Sequence, residues 1–247
     1  MEEFLLKVMG KTDIGMVRRS NQDAYSGGEL PGGAVWAAVC DGMGGANGGD
    51  IASKTAVSVL QQELNSGFSE DMPDQMVQAL LLHAVGQANV RVYEKALEDE
   101  ALSGMGTTVA AALVRGEKAY IVHVGDSRIY LLTPNEVTQL TTDHSIVQEM
   151  VKKGEITEQQ AKNHPRKNII TRVVGVEPYV EADYDVCALP PDGKLLLCSD
   201  GLSNCVEPET MRRLAYELET DSLLDRLVSL ANDAGGYDNI TVAVISA

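Results

Sequence analysis

The apolar stretch Ala34–Cys40, which reads AVWAAVC, ends directly at Asp41-Gly42. A short apolar run is typical of a buried strand, and a glycine beside the carboxylate lets backbone and side-chain oxygens approach one point. Three further aspartates lie at ends of apolar runs: Asp126 after Ala119–Val124, Asp200 after Lys194–Ser199, and Asp238 before Ile240–Ser246. A single Asp-Gly pair is more often a plain turn. Four such positions favour one converging site for hard divalent cations, built from oxygen ligands.

Composition restricts the classes of function. The 247 residues are 44% hydrophobic, and nothing in residues 1–247 resembles a linker, so we expect a single domain. The net charge of −16 should repel nucleic acid and anionic membranes, and an anionic substrate would bind against this field unless cations line the site. We therefore expect neither nucleic acid nor a membrane as a partner.

The sequence also predicts a cytoplasmic protein. The N-terminus Met1-Glu2-Glu3 is acidic, unlike a signal peptide, and no apolar run reaches transmembrane length. None of the four cysteines forms a Cys-x-x-Cys pair, and most lie in apolar runs, which fits buried reduced thiols. They are Cys40, Cys187, Cys198 and Cys205.

Hydrophobic periodicity predicts blocks of helices and blocks of strands rather than an alternation of the two. Helices are expected at 47–64, 74–98, 207–217 and 222–234, and Met76 is expected in the core-facing stripe of the second. Strands are expected near the N-terminus within 4–18 and at 34–40, 107–114, 118–124, 128–132, 137–140, 179–189, 194–199 and 240–246. This pattern predicts an α+β fold with layered antiparallel sheets.

A polar, mostly helical insert occupies about 145–168, where Thr157 and Gln160 form a capping box. The insert carries several cations in an otherwise acidic chain, which predicts either a flap that touches a peptide substrate or a solvated helical hairpin. The cations are Lys152, Lys153, Lys162, Arg166 and Lys167.

Eight short motifs occur in order along nearly the whole chain: 15–23 (GMVRRSNQD), 41–45 (DGMGG), 106–108 (GTT), 124–128 (VGDSR), 143–145 (DHS), 172–175 (RVVG), 199–202 (SDGL) and 238–241 (DNIT). With them the chain resembles the metal-dependent protein phosphatases of the PP2C type, also called the PPM family. The methionine in 41–45 resembles the bacterial branch.

The resemblance implies a sandwich of two antiparallel β-sheets flanked by helices in α-β-β-α layers. It implies two Mn²⁺ or Mg²⁺ ions, bridged by Asp41, with the Gly42 carbonyl on one ion and Asp200 and Asp238 on the other. Asp126 and Asp200 would hold a third, weaker ion, and Arg18 would bind the substrate phosphate. Gln22, Asp23 and Asn239 belong to the same motifs and are expected beside these ligands.

The implied activity is a serine/threonine protein phosphatase, in which a metal-bridging hydroxide attacks phosphoserine or phosphothreonine directly. Two divalent ions acidify a shared water, and a guanidinium fork suits a phosphate. The implied partners are phosphorylated proteins that are substrates of a cognate Ser/Thr kinase, and the chain is expected to act as a monomer.

Three positions depart from the family pattern. Gln22 stands where glutamate is common, and an amide is a weaker ligand. Met43 stands where eukaryotic members carry a histidine, and a thioether cannot donate a proton. Asn204 stands where some relatives carry another metal-site aspartate.

Two other functions remain open from the sequence. One is a pseudophosphatase that binds phosphoproteins as a regulatory module, and the other is a sporulation- or stress-type phosphatase acting on an anti-sigma-factor antagonist. His83 and His123 are expected to be structural. For His144 a helix-start position is favoured over a catalytic role, and Arg172 is favoured as structural.

Overall fold

The computed structural model describes residues 6–246, except for the side chains of residues 45–47. The acidic segment Met1-Glu2-Glu3 lies outside the described residues. The strands are β1 (Lys7–Asp13), β2 (Asp23–Glu29), β3 (Val35–Met43), β4 (Gly106–Thr107), β5 (Val109–Arg115), β6 (Lys118–Val124), β7 (Arg128–Leu132), β8 (Val137–Gln139), β9 (Asp183–Ala188), β10 (Lys194–Cys198) and β11 (Ile240–Ser246).

These strands form two antiparallel sheets. One has the order β1-β11-β10-β7-β8, and the other has the order β2-β3-β5-β6-β9, with β4 paired to β3. The helices are α1 (Gly45–Gly67), α2 (Asp74–Glu98), α3 (Ile146–Lys152), α4 (Glu158–Lys162), α5 (Asp200–Ser203), α6 (Pro208–Glu217) and α7 (Thr220–Asp233).

The hydrophobic core consists of three layers, one between the two sheets and one between each sheet and its helices. Strand β3 contributes side chains to two of these layers. Val35, Ala37 and Val39 face the other sheet, where they pack with residues of β10 and β11. The alternate residues of β3, including Trp36 and Cys40, face α1 and α2. Because both faces of β3 are buried, the strand reads as a continuous apolar run instead of alternating.

The other sheet is covered in the same way. Leu195 and Leu197 of β10 face the partner sheet, whereas Leu196 and Cys198 face α6 and α7. The result is an α-β-β-α sandwich, and the predicted α+β class with layered antiparallel sheets is confirmed.

Several local predictions need correction. Strand β2 was not predicted, and neither was the short helix α5. Met76 is 54% exposed, so its predicted core position is wrong; the buried stripe of α2 starts one residue later, at Val77. The last predicted strand before β10 begins at Asp183 instead of residue 179. The insert forms α3 and α4, and its capping box at Thr157 is present.

Among residues 6–246, no helix combines the length and the apolar character needed to cross a membrane. The four cysteines are free thiols, of which Cys40 and Cys198 are buried and the other two are partly buried.

Candidate metal centre

The four aspartates lie at one end of the sandwich. Asp41 is near the end of β3, Asp126 lies in the turn between β6 and β7, Asp200 opens α5 after β10, and Asp238 precedes β11. All four line one cavity of about 420 Å³, together with Arg18, Gln22, Gly42 and Asn239. The structure thus brings together every predicted site residue except Asp23, which is buried behind the cavity wall.

Close backbone approach holds two of the aspartates together. A Cβ on Gly201 would lie 2.0 Å from the carbonyl oxygen of Asn239 and 3.5 Å from the Cβ of Asp238. Glycine therefore lets the start of α5, with Asp200, pack directly against the segment that carries Asp238.

Asn239 fixes the loop that carries Arg18. Its side-chain amide donates to the carbonyls of Ile14 and Ser20 at 2.9 and 3.0 Å, and its Oδ1 accepts from the backbone N–H of Gln22 at 2.8 Å. Asn239 is 4% exposed. It therefore ties the segment just before β11 to the N-terminal loop, and both segments line the cavity.

The carboxyl groups share an environment that disfavours their charge. Burial, followed by the neighbouring carboxylates, raises the pKa of Asp41 well above its ordinary value. Burial also raises the pKa of Asp126 to about 7 and that of Asp200 to about 6, with further contributions from nearby carboxylates. A cluster of this kind is short of positive charge, which bound cations would supply.

Arg18 is the one cationic side chain among the described residues that line the cavity. Its Nη2 donates to Asp238 Oδ2 at 2.7 Å, and the side chain is half exposed. That bond raises the pKa of Arg18, so the guanidinium stays charged, and it leaves other donors of the fork for a ligand.

Asp23 supports the cavity from behind. It pairs with Asp41 across β2 and β3 and accepts a hydrogen bond from Ser199 Oγ at 2.7 Å. Burial raises the pKa of Asp23 to about 7. Asp23 therefore links the strand of Asp41 to the residue before Asp200.

The donor set fits a hard divalent cation. It consists of carboxylate, carbonyl and amide oxygens, the ligands that Mg²⁺ and Mn²⁺ prefer. Within the described part of the chain, Asp200 Oδ1 is buried without a hydrogen-bond partner, although Asn204 donates to Oδ2 at 3.0 Å. A cation would satisfy this oxygen.

Sequence reasoning missed several residues of the centre. Thr108 Oγ1 accepts from the Asp41 N–H at 2.9 Å and lies 2.7 Å from Ser127 Oγ, so hydroxyls connect the segments of Asp41 and Asp126. Asn168 and Ile170, at the end of the insert, also line the cavity. Thr108 lies in the 106–108 motif, so the sequence could have indicated that it belongs to the site. Nothing in the sequence around Asn168 distinguishes that residue.

A second group of possible metal ligands lies apart from this cavity. His123, His144 and Asp183 place one nitrogen or oxygen each within 4.8 Å of one another. The rings of His123 and His144 stack with centroids 4.7 Å apart, and the Arg172 Nη1 donates to Asp183 Oδ1 at 2.6 Å. The guanidinium already neutralises this carboxylate, which disfavours a cation here.

The structure combines a two-sheet α-β-β-α sandwich with an aspartate-lined cavity at one end, and comparisons with known proteins find this combination in one family. The model of the protein phosphatase 2C family matches residues 17–242. The chain belongs to this family, as the motif resemblance predicts.

Named relatives and solved structures match almost end to end. The serine/threonine phosphatase stp of Listeria welshimeri is 39% identical over 237 residues, which are 95% of this chain and 93% of the relative. The crystal structure of the serine/threonine phosphatase Stp1 from Staphylococcus aureus has a TM-score of 0.92 at 33% identity, covering 98% of this chain and 95% of that one. The catalytic domain of the phosphatase PstP, solved with two manganese ions, has a TM-score of 0.83 at 34% identity and covers 98% and 97% of the two chains.

Proposed function

We propose that this protein is a metal-dependent serine/threonine protein phosphatase that hydrolyses phosphoserine and phosphothreonine with water. The observation that carries the proposal is the cavity that joins four aspartates to Arg18 in a member of the protein phosphatase 2C family. The named relatives that are serine/threonine phosphatases support the same substrate class.

In this proposal Asp41, the Gly42 carbonyl, Asp200 and Asp238 hold two Mn²⁺ or Mg²⁺ ions, and Asp126 with Asp200 holds a third, weaker one. The two manganese ions in the PstP structure support the first two of these positions. When bound, such ions acidify water and neutralise phosphoryl oxygens. Arg18 binds the phosphate by the part of its guanidinium that Asp238 does not use.

The chain's own residues orient the substrate and shape the cavity. Asn239 holds the loop of Arg18, and the Thr108 hydroxyl holds the backbone of Asp41. Met43 lines the cavity and is 39% exposed, and its thioether cannot protonate the leaving oxygen. That proton therefore comes from another group or from water.

The described residues act as one catalytic domain in this proposal, and the insert at about 145–168 is a flap for peptide substrates. A neighbouring cavity of about 420 Å³ supports this role, because Asp126, Asp200 and Asn168 line it together with Lys162 and Lys167 of the insert. These lysines would attract a peptide around the phosphoresidue, although Lys162 also pairs with Glu207 at 3.2 Å.

The substrates would be phosphorylated proteins that a Ser/Thr kinase of opposite activity supplies. A pseudophosphatase is disfavoured because Asp41, Asp200 and Asp238 are all present at the cavity. A stress-type phosphatase acting on an anti-sigma-factor antagonist is disfavoured because the Arg18 loop is intact and tied to Asn239.

The test is release of phosphate from a phosphothreonine peptide. EDTA should abolish turnover and Mn²⁺ should restore it. Asp200→Ala should lower kcat/KM by about 100- to 1000-fold while the protein remains folded, because removal of one key electrostatic group costs about this much. Asp71→Ala, at an exposed loop position, is the matched control and should behave as wild type. Full activity of EDTA-treated protein, or of Asp200→Ala, would refute the proposed function.

A further inference from the structure

His144 forms a closed pair of hydrogen bonds with Gly125, the residue before Asp126. The backbone N–H of His144 donates to the Gly125 carbonyl at 2.9 Å, and the Gly125 N–H donates to His144 Nδ1 at 3.1 Å. His144 is 5% exposed, so water does not compete for these bonds. The turn that carries Asp126 is therefore held by both the backbone and the ring of one histidine.

The turn needs such a support because its conformation depends on a flexible residue. Gly125 has a φ of +102°, which sets the direction of Asp126, but glycine can also adopt many other backbone conformations. On the far side of Asp126, Ser127 Oγ lies 2.7 Å from Thr108 Oγ1. Asp126 is thus held on one side by the two hydrogen bonds between His144 and Gly125, called here the His144 bracket, and on the other by the contact between the Ser127 and Thr108 hydroxyls.

The contacts of the ring define its tautomer. A backbone N–H can only donate, so His144 Nδ1 carries a lone pair and the proton resides on Nε2. The Nε2–H therefore donates to Asp183 Oδ2 at 3.2 Å. Arg172 Nη1 lies 3.3 Å from Nε2 but donates to the other oxygen of the same carboxylate, Asp183 Oδ1, at the shorter distance of 2.6 Å. Burial lowers the pKa of His144, which is consistent with a neutral ring.

Further contacts restrain the ring and connect it to the insert. His123 stacks on it with an interplanar angle of 18°. The His144 carbonyl accepts from Thr171 N–H at 2.8 Å, immediately after Ile170, which lines the metal cavity. His144 therefore joins the Asp126 turn to the segment that closes the insert.

We propose that His144 is a positioning residue that fixes Asp126 in the metal cavity by accepting the Gly125 N–H on Nδ1 and donating from Nε2 to Asp183. Imidazole is suited to this role because it offers an acceptor and a donor on opposite sides of one rigid ring. The expected effect on Mn²⁺ binding rests on the ion positions of the proposed function, whereas the hydrogen bonds do not.

The first experiment reads the bracket directly by NMR on the metal-free protein. The ¹⁵N shifts of wild type should show His144 protonated on Nε2, and the Gly125 amide should be protected from hydrogen exchange. In His144→Asn the side-chain oxygen can replace Nδ1 as acceptor and protection should remain. In His144→Gln, whose amide reaches toward the Nε2 position, Gly125 should exchange at least about tenfold faster. His83→Asn, at an exposed position on α2, is the control. A ring protonated on Nδ1, or equal Gly125 exchange in both variants, would overturn the assignment.

The second experiment counts bound Mn²⁺ by the EPR signal of the free ion during titration. His144→Gln should weaken the loosest Mn²⁺ by about 10- to 100-fold, the usual cost of losing a residue that orients a ligand, and His144→Asn should stay close to wild type. A merely structural role would lower the Tm of both variants and leave Mn²⁺ binding equal, which would also overturn the proposal. Absence of phosphatase activity in wild type would refute the proposed function but would not alter either readout.

Discussion

The contact between Gly201 and Asn239 makes Gly201→Ala a sensitive probe of how closely the aspartates must be held. The added methyl would lie 2.0 Å from the Asn239 carbonyl oxygen, so about 1 Å of displacement is needed before the contact becomes tolerable. Asn239 cannot yield easily, because its side chain makes three hydrogen bonds to the N-terminal loop. The strain should therefore move the start of α5, and with it Asp200.

A misplacement of about 1 Å at a reacting site costs on the order of 100-fold in rate. We therefore expect kcat/KM toward a phosphothreonine peptide to fall about 100-fold, which corresponds to about 2.7 kcal/mol of transition-state stabilisation. Overpacking should also destabilise the fold by about 1–3 kcal/mol. The assays are steady-state kinetics at saturating Mn²⁺ and thermal unfolding of the same samples.

Gly86→Ala is the matched control. Gly86 lies within α2, and a Cβ there meets nothing within 4 Å. Alanine should raise stability by up to about 1 kcal/mol through helix propensity and leave kcat/KM unchanged. If Gly201→Ala retained activity within about twofold of wild type, the argument that backbone contact sets the spacing of Asp200 and Asp238 would be refuted.

Three further changes test other parts of the account. Arg18→Ala should raise KM clearly and change kcat less. Arg18→Lys should rescue KM only in part, because a point charge cannot make the bidentate contact. An unchanged KM in Arg18→Ala would show that Arg18 does not bind the phosphate. Gln22→Glu should lower the Mn²⁺ midpoint of activity, since cation sites gain affinity with ligand charge, and a higher midpoint would contradict this. Asp74 accepts from Lys118 and Tyr120, and the Lys118 bond is the main cause that lowers its pKa to about 2. The stabilising effect of the ionised Asp74 is therefore complete above about pH 4 and is lost as the pH falls through about 2. Asp74→Asn should accordingly lower Tm at pH 7 and flatten the dependence of Tm on pH between about 4 and 2. A pH profile of Tm equal to that of wild type would contradict this.

The sequence predicted those residues of the candidate centre that can be found from local pattern. Asp41, Asp126, Asp200 and Asp238 could be found because each adjoins an apolar run that is a strand in the structure. The layered fold followed from strands and helices that occur in blocks, because that order excludes a doubly wound sheet.

The missed features depend on distant contacts. Strand β2 reads DAYSGGE, which has little strand character, and it forms because Asp23–Glu29 pairs along its length with β3. Met76 is exposed because the neighbouring face of α2 packs against the sheet. Near the start of a helix, hydrophobic periodicity does not determine well which of two adjacent apolar residues is the buried one. The bracket of His144 on Gly125 joins residues from separate motifs and has no local signature.

The most direct test of the central claim is the position of Mn²⁺ in an anomalous difference map from crystals grown with the ion. Strong peaks are expected in the cavity, in contact with the carboxylates of Asp41, Asp200 and Asp238. An empty cavity, with Mn²⁺ bound instead at His123, His144 and Asp183, would contradict it.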